Sequence, residues 1–157
     1  MDILLRELAE NAGVKSILKK ESVLGNLSLS EEALLIASAY RMQPQSMFIV
    51  KNNAYSAQKL YDRLSALLKE DVLLFTMEES LRVEAVASSP ETRANQMEVM
   101  GKLLEDRPYI CVMNTAGAIR FQPSKEQFEK HTLSLKQDEE IAYDDLKRLL
   151  QEAGYTH

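Results

Sequence analysis

The residues with the strongest claim on chemistry form one loop, Gly25-Asn26-Leu27-Ser28-Leu29-Ser30-Glu31-Glu32. It lies between a short apolar run and a helical stretch, where nucleotide-hydrolysing enzymes keep a phosphate-binding loop. The working pattern is G-x-x-x-x-G-K-[ST]. Backbone N–H groups wrap the phosphates, the Lys neutralises them and the hydroxyl holds magnesium. Counted from Gly25, the second Gly is Ser30, the Lys is Glu31 and the hydroxyl is Glu32. Two carboxylates would then face a triphosphate, and each like-charge contact at ~4 Å costs about 4 kcal/mol at an effective dielectric of about 20, before screening. Read instead as an ordinary loop glycine, Gly25 implies no site at all. Both readings expect no ATP site, no catalytic residue, no cofactor and no metal in this chain. No Asp-Glu pair follows an apolar strand to hold magnesium and activate water.

Two more polar groups stand where apolar runs end. Lys51-Asn52-Asn53 follows Met47–Val50, and Asn114-Thr115 follows Tyr109–Met113. Parallel sheets bind ligands at the carboxyl ends of their strands, so these five residues are a candidate sheet-edge surface. The plainer alternative is a polar strand exit with Asn53 as a helix N-cap, and at 112–117 a strand end turning into a helix. Cys111, the only cysteine, is expected to be a small buried hydrophobe. A catalytic thiol would need a polarising partner, and the two histidines, His131 and His157, are far off in sequence. A lone Cys forms no internal disulfide and fits a reducing compartment.

The elements that must position these residues alternate between helix and strand. The chain has 157 residues, 45% of them hydrophobic, and a net charge of −5. That is one domain, or one domain and part of another. The acidic balance argues against a dedicated nucleic-acid binder. The first eight residues carry acids where a signal peptide is basic, and no apolar run reaches the ~18 residues of a membrane span. The expected location is the cytoplasm.

Leu4, Leu5, Leu8, Ala9 and Ala12 predict an opening helix stopped by Gly13. Residues 22–27 read as a short buried strand, and Ser30 as the N-cap of a buried helix from Ala33 to Met42, ended by Pro44. Met47–Val50 reads as a strand covered on both faces. The stripe Ala57, Leu60, Tyr61, Leu64, Leu67 and Leu68 predicts a helix, and Val72–Phe75 a buried strand. Residues 76–88 have no firm period. Ser89-Pro90-Glu91 opens a helix whose inner face is Ala94, Met97, Met100 and Leu104, and Tyr109–Met113 is the fourth strand. The methionines Met97, Met100 and Met113 read as core filling. This order implies a parallel sheet with right-handed crossovers.

The character changes after Pro123. Leu133 and Leu135 alternate as in a half-exposed strand, and 138–145 holds five acids and no base. Tyr143, Leu146, Leu149, Leu150 and Ala153 predict a last amphipathic helix closed by Gly154. The expected boundary gives domains of 1–123 and 124–157. A helix running out at Gly154 to His157, with no strand after it, reads as a piece of a longer chain.

Taken together, three segments resemble the N-terminal region of the bacterial transcription-repair coupling factor. They are Val23 to Tyr40, Phe48 to Leu64, and Phe75 through Ser89-Pro90-Glu91-Thr92-Arg93 to Gly117. Leu146 to Tyr155 resembles the helix that opens the family's second domain. The resemblance spans nearly the whole chain through order and spacing, with no single diagnostic motif. It implies a degenerate P-loop NTPase or helicase-like α/β fold similar to part of UvrB, a three-layer parallel sheet flanked by helices, followed by the first elements of a small second α/β domain.

The family is a DNA translocase that displaces stalled RNA polymerase and recruits excision repair. Its N-terminal region is non-catalytic, binds the UvrA repair protein and restrains the motor. ATP and magnesium belong to motor elements downstream, and RNA polymerase and DNA are partners through the parent protein only. Its UvrA contacts lie mainly beyond the equivalent of His157, so this chain is expected to bind UvrA weakly or not at all. The alternative function is a nucleotide-binding enzyme domain with an atypical phosphate loop. A third is a single-strand nucleic-acid surface at the sheet edge, which the net charge disfavours.

Overall fold

A computed structural model describes residues 2–19, 24–77, 90–120, 122–130, 132 and 140–152. The chain divides into two compact units, Met1–Arg120 and Phe121–His157.

The first unit opens with helix α1 (Asp2–Glu7), a 3-10 turn (Leu8–Glu10) and α2 (Ala12–Lys19). Gly13 does not stop a helix. It lies in the first turn of α2, where the Asn11 side chain accepts its N–H at 2.8 Å. Asn11 therefore acts as the cap, and the glycine answers a packing need. A Cβ there would come within 3.1 Å of a Leu35 methyl on the next helix.

Helix α3 (Leu29–Met42) starts earlier than expected, because Ser28 and not Ser30 is its N-cap. It ends before Pro44. The predicted strand at 22–27 is absent over its described part. Residues 24–27 are an exposed loop, with Asn26 in the left-handed region (φ 57), and residues 22 and 23 lie outside the described residues. A short apolar run does not distinguish a strand from a loop.

Strand β1 (Met47–Lys51) leads into α4 (Ala54–Leu68), then β2 (Val72–Phe75), α5 (Pro90–Leu103), β3 (Ile110–Asn114) and α6 (Thr115–Ile119). Among the described residues the sheet has three strands rather than four. They are all parallel in the order β1-β3-β2. Met47 and Val72 both register with Ile110. The stripe predicted for α4 is the stripe that is buried: Ala57, Leu60 and Leu64 are fully enclosed, and Leu68 nearly so. With Ala33, Ala37 and Tyr40 of α3 they cover one face of the sheet at Val72, Ile110 and Val112. The Tyr40 hydroxyl donates to the Pro108 carbonyl at 2.7 Å, tying α3 to the start of β3.

The other face is covered by α5 over Leu73, Phe75 and Cys111. Two expectations fail here. The inner face of α5 is Val99, Met100 and Leu103, whereas Ala94 and Met97 are exposed and Leu104 lies past the helix end. Met97 is thus not core filling, while Met100 and Met113 do pack against this cluster. Strand β1 is not covered on both faces, because α5 packs over β2 and β3 and leaves one face of β1 open: Phe48 and Val50 are 60% and 51% exposed. Cys111 is fully buried on central β3, and burial pushes its thiol up to about 12. It cannot be a nucleophile at neutral pH.

Inside α3, the Ser38 hydroxyl is fully buried and finds no partner among the described residues. An unpartnered buried hydroxyl is costly, and alanine also favours the helix. Ser38→Ala is therefore expected to stabilise the protein by about 1 kcal/mol, measured by urea unfolding.

The second unit contains α7 (Lys125–Lys130) and α8 (Tyr143–Glu152). The sequence reading missed α7, although Ser124 and Gln127 form a reciprocal cap at its start. Helix α8 lies where its apolar spacing placed it, with Leu146, Leu149 and Leu150 half-buried. The predicted Leu133–Leu135 strand, Ala153 and Gly154 lie outside the described residues. No helix among the described residues is long and apolar enough to cross a membrane.

Candidate functional site

The head of α3 and the carboxyl ends of the strands come together at one sheet edge. At the head of α3, Ser28 and Glu31 close a capping box. The Ser28 N–H donates to a Glu31 carboxylate oxygen at 2.8 Å, and the Glu31 N–H donates to the Ser28 hydroxyl at 3.3 Å. Hydrogen bonding from Ser28, through its side chain and then its backbone, holds the Glu31 carboxyl below its ordinary range. Glu32, one residue on, receives the Lys51 ammonium at 2.9 and 3.0 Å. Both side chains of that pair are about three-quarters enclosed, at 24% and 27% exposure. Lys51 ends β1, so this bond spans from helix to strand.

The alignment on Gly25 acquires a geometry from this. Ser30 lies inside the helix, and Glu31 is its third residue. Leu29 and Ser30 are already helical, which leaves only residues 25–28 as loop. The left-handed residue is Asn26, and a Cβ at Gly25 would meet nothing within 4 Å. A cleft of about 410 Å³ lies beside the loop, with Ile17, Leu24, Leu27 and Leu35 as apolar lining and Asn26 and Glu32 as its polar groups.

The other predicted residues have structural partners. Asn53 caps α4, its side chain accepting the Ser56 N–H at 2.8 Å. The Thr115 hydroxyl donates to the Lys51 carbonyl at 3.2 Å, joining the exits of β3 and β1. Asn114 is fully buried. Its side-chain oxygen accepts the N–H groups of Gly117 and Met77, each at 3.1 Å, and its amide donates to the Met77 carbonyl at 2.8 Å. Asn52 alone is an exposed polar turn residue. The edge thus brings Glu32, Lys51 and Thr115 together. Among the described residues no group of three His, Cys, Asp or Glu is placed to hold a metal ion.

Sequence reasoning missed Ser28 and the Lys51–Glu32 pair. The S-x-x-E spacing of Ser28 and Glu31 is a sequence signature of a capping box and was available. The pair had no such signal, because it joins two elements that only the tertiary fold brings together.

The fold and this edge define a class: a small parallel α/β domain in which the head of α3 carries paired and capped carboxylates. No protein-family model matches the chain, and no solved structure matches it. Curated proteins do. The chain is 29% identical over 162 residues to the transcription-repair-coupling factor of Bacillus subtilis (strain 168), across 99% of this chain and 14% of that protein. It is 23% identical over 135 residues to the transcription-repair-coupling factor of Staphylococcus aureus (strain bovine RF122 / ET3-1), across 85% of this chain and 12% of that protein. The chain is thus similar to curated transcription-repair-coupling factors along 85–99% of its length, in keeping with the resemblance of its sequence segments. It spans 12–14% of the length of these curated relatives.

Proposed function

We propose that the chain is a non-catalytic interaction and regulatory module of a transcription-repair coupling factor, built on a degenerate helicase-like, UvrB-like α/β fold. The observation that carries this is the head of α3. Phosphate binding at a helix head needs free N–H groups and positive charge. Here the Glu31 N–H is taken by Ser28, Glu31 and Glu32 are anionic, and Lys51 is neutralised by Glu32. On this reading residues 1–123 form the UvrB-like domain and 124–157 begin the UvrA-interaction domain.

In a protein of the relatives' length, ATP and magnesium serve motor elements outside this chain. DNA and stalled RNA polymerase are partners through those elements, and UvrA is a partner of the intact N-terminal region in the cytoplasm. The test is calorimetric titration of the chain with magnesium–ATP. The expected result is no saturable heat and no rise in melting temperature. One-to-one saturation would overturn the proposal and put a nucleotide-binding enzyme in its place.

A further inference from the structure

A second cleft, of about 360 Å³, opens between α1 and the C-terminal end of α3, at the opposite end of α3 from the capping box. Leu5, Ala9 and Met42 give it apolar walls, and Arg6 and Arg41 give it two cations. Leu5 is buried at its base, while Met42 is 45% exposed. On α1 the neighbouring Ile3 and Leu4 are 77% and 48% exposed, so apolar surface continues beyond the cleft.

Neither guanidinium has an ion pair or hydrogen-bond partner among the described residues. Two acids that might have served are engaged elsewhere, Glu10 by Lys15 and Asp71 by Arg107. Each arginine lies in the last turn of its helix and so meets the negative end of the backbone dipole. That role uses the charge but leaves the planar fork of N–H donors unfilled. Two solvent-facing arginine forks, with no protein partner among the described residues, thus stand beside exposed aliphatic groups.

We propose that this cleft docks an acidic, aliphatic peptide segment of a partner protein. A carboxylate meets an arginine fork through two parallel hydrogen bonds, and aliphatic neighbours would cover Met42, Leu4 and Ile3. Exposed apolar groups rimmed by polar ones are the pattern of a protein-binding surface, and arginine is enriched in such interfaces. A nucleic acid offers the anions but no aliphatic groups, so the apolar part of the surface favours protein.

The test is fluorescence anisotropy of the full chain with a labelled peptide, Glu-Leu-Asp-Glu-Leu-Leu-Glu-Asp. Saturable binding is expected. It should weaken about tenfold or more in the double variant Arg6→Gln, Arg41→Gln, and again when the peptide's acids become Gln and Asn. The double variant should stay folded, because both side chains are exposed, with only the small loss of melting temperature that removing two helix-end charges brings. Met42→Gln, which keeps size and charge but removes the apolar surface, should weaken binding at unchanged arginines, which separates apolar contact from charge alone. Absence of saturable binding would overturn the proposal. So would an affinity that ignores the arginine substitutions, or tighter binding of an oligothymidylate than of the peptide.

Discussion

Replacing Asn114 with alanine should lower the unfolding free energy by about 3–4 kcal/mol, the largest effect expected of any polar side chain among the described residues. The side chain is fully buried and brackets two neighbouring segments. Its oxygen holds the N–H groups of Gly117, in the first turn of α6, and of Met77, just past β2, and its amide holds the Met77 carbonyl. Alanine deletes these three bonds, leaving the buried Gly117 N–H and the half-buried Met77 N–H and carbonyl without that partner. Each such group costs about 1–3 kcal/mol when water cannot reach it. Gly117 adds to the constraint. A Cβ there would sit 3.1 Å from the Phe75 carbonyl, so α6 cannot shift inward to heal the gap. Equilibrium urea unfolding measures the change. A loss below about 1 kcal/mol would mean that water or a neighbour replaces the bracket, and that the strand exits are not fixed by Asn114.

Leu64→Ala should cost a similar amount, about 3 kcal/mol, through a different mechanism. Leu64 is fully enclosed at the centre of the α4 stripe, in the same cluster as Leu60, Tyr40, Ile110 and Val112. Truncation removes the transfer energy of three carbons and leaves a cavity that a helix packed between α3 and the sheet cannot collapse. Guanidinium unfolding should show an earlier midpoint at an unchanged slope. A changed slope would instead indicate an altered denatured state or loss of two-state behaviour. A cost under about 1 kcal/mol would show that α4 is not seated as described.

Much of this fold can be read from the chain, and the exceptions have physical causes. Helix α4 was legible because Ala57, Leu60, Leu64 and Leu68 keep one unbroken period on one face. Strands β2 and β3 were legible as continuous apolar runs, since helices on both faces of the sheet bury most of both. The run at β1 looked the same, yet Phe48 and Val50 are exposed. Helix cover is a non-local property, and nothing in Met47–Val50 marks it as the strand that α5 leaves open on one face. The face of α5 was misplaced because apolar residues of Pro90–Leu103 are scattered around the helix, so Ala94 and Met97 fit one period and Val99 and Leu103 another.

At the candidate site, the Asn53 cap was legible from its place before the α4 stripe. The α3 cap was not, because Ser28 and Ser30 both precede acids and only the capping-box spacing separates them. The Lys51–Glu32 bond was invisible, since opposite charges 19 residues apart have no reason to meet without the sheet.

The strand order also constrains how the protein can come into being on a ribosome. Strands β1 and β2 are not neighbours, and each pairs with β3. Until residue 110 has emerged, neither has a backbone mate among the described residues, so these three strands cannot pair step by step as synthesis proceeds. Domains fold largely as units during translation, and pairings this distant in sequence close slowly. Helices α3 and α4 can meet early through their shared apolar faces. The two waiting strands then depend on those helices for shelter until the strand that joins them arrives.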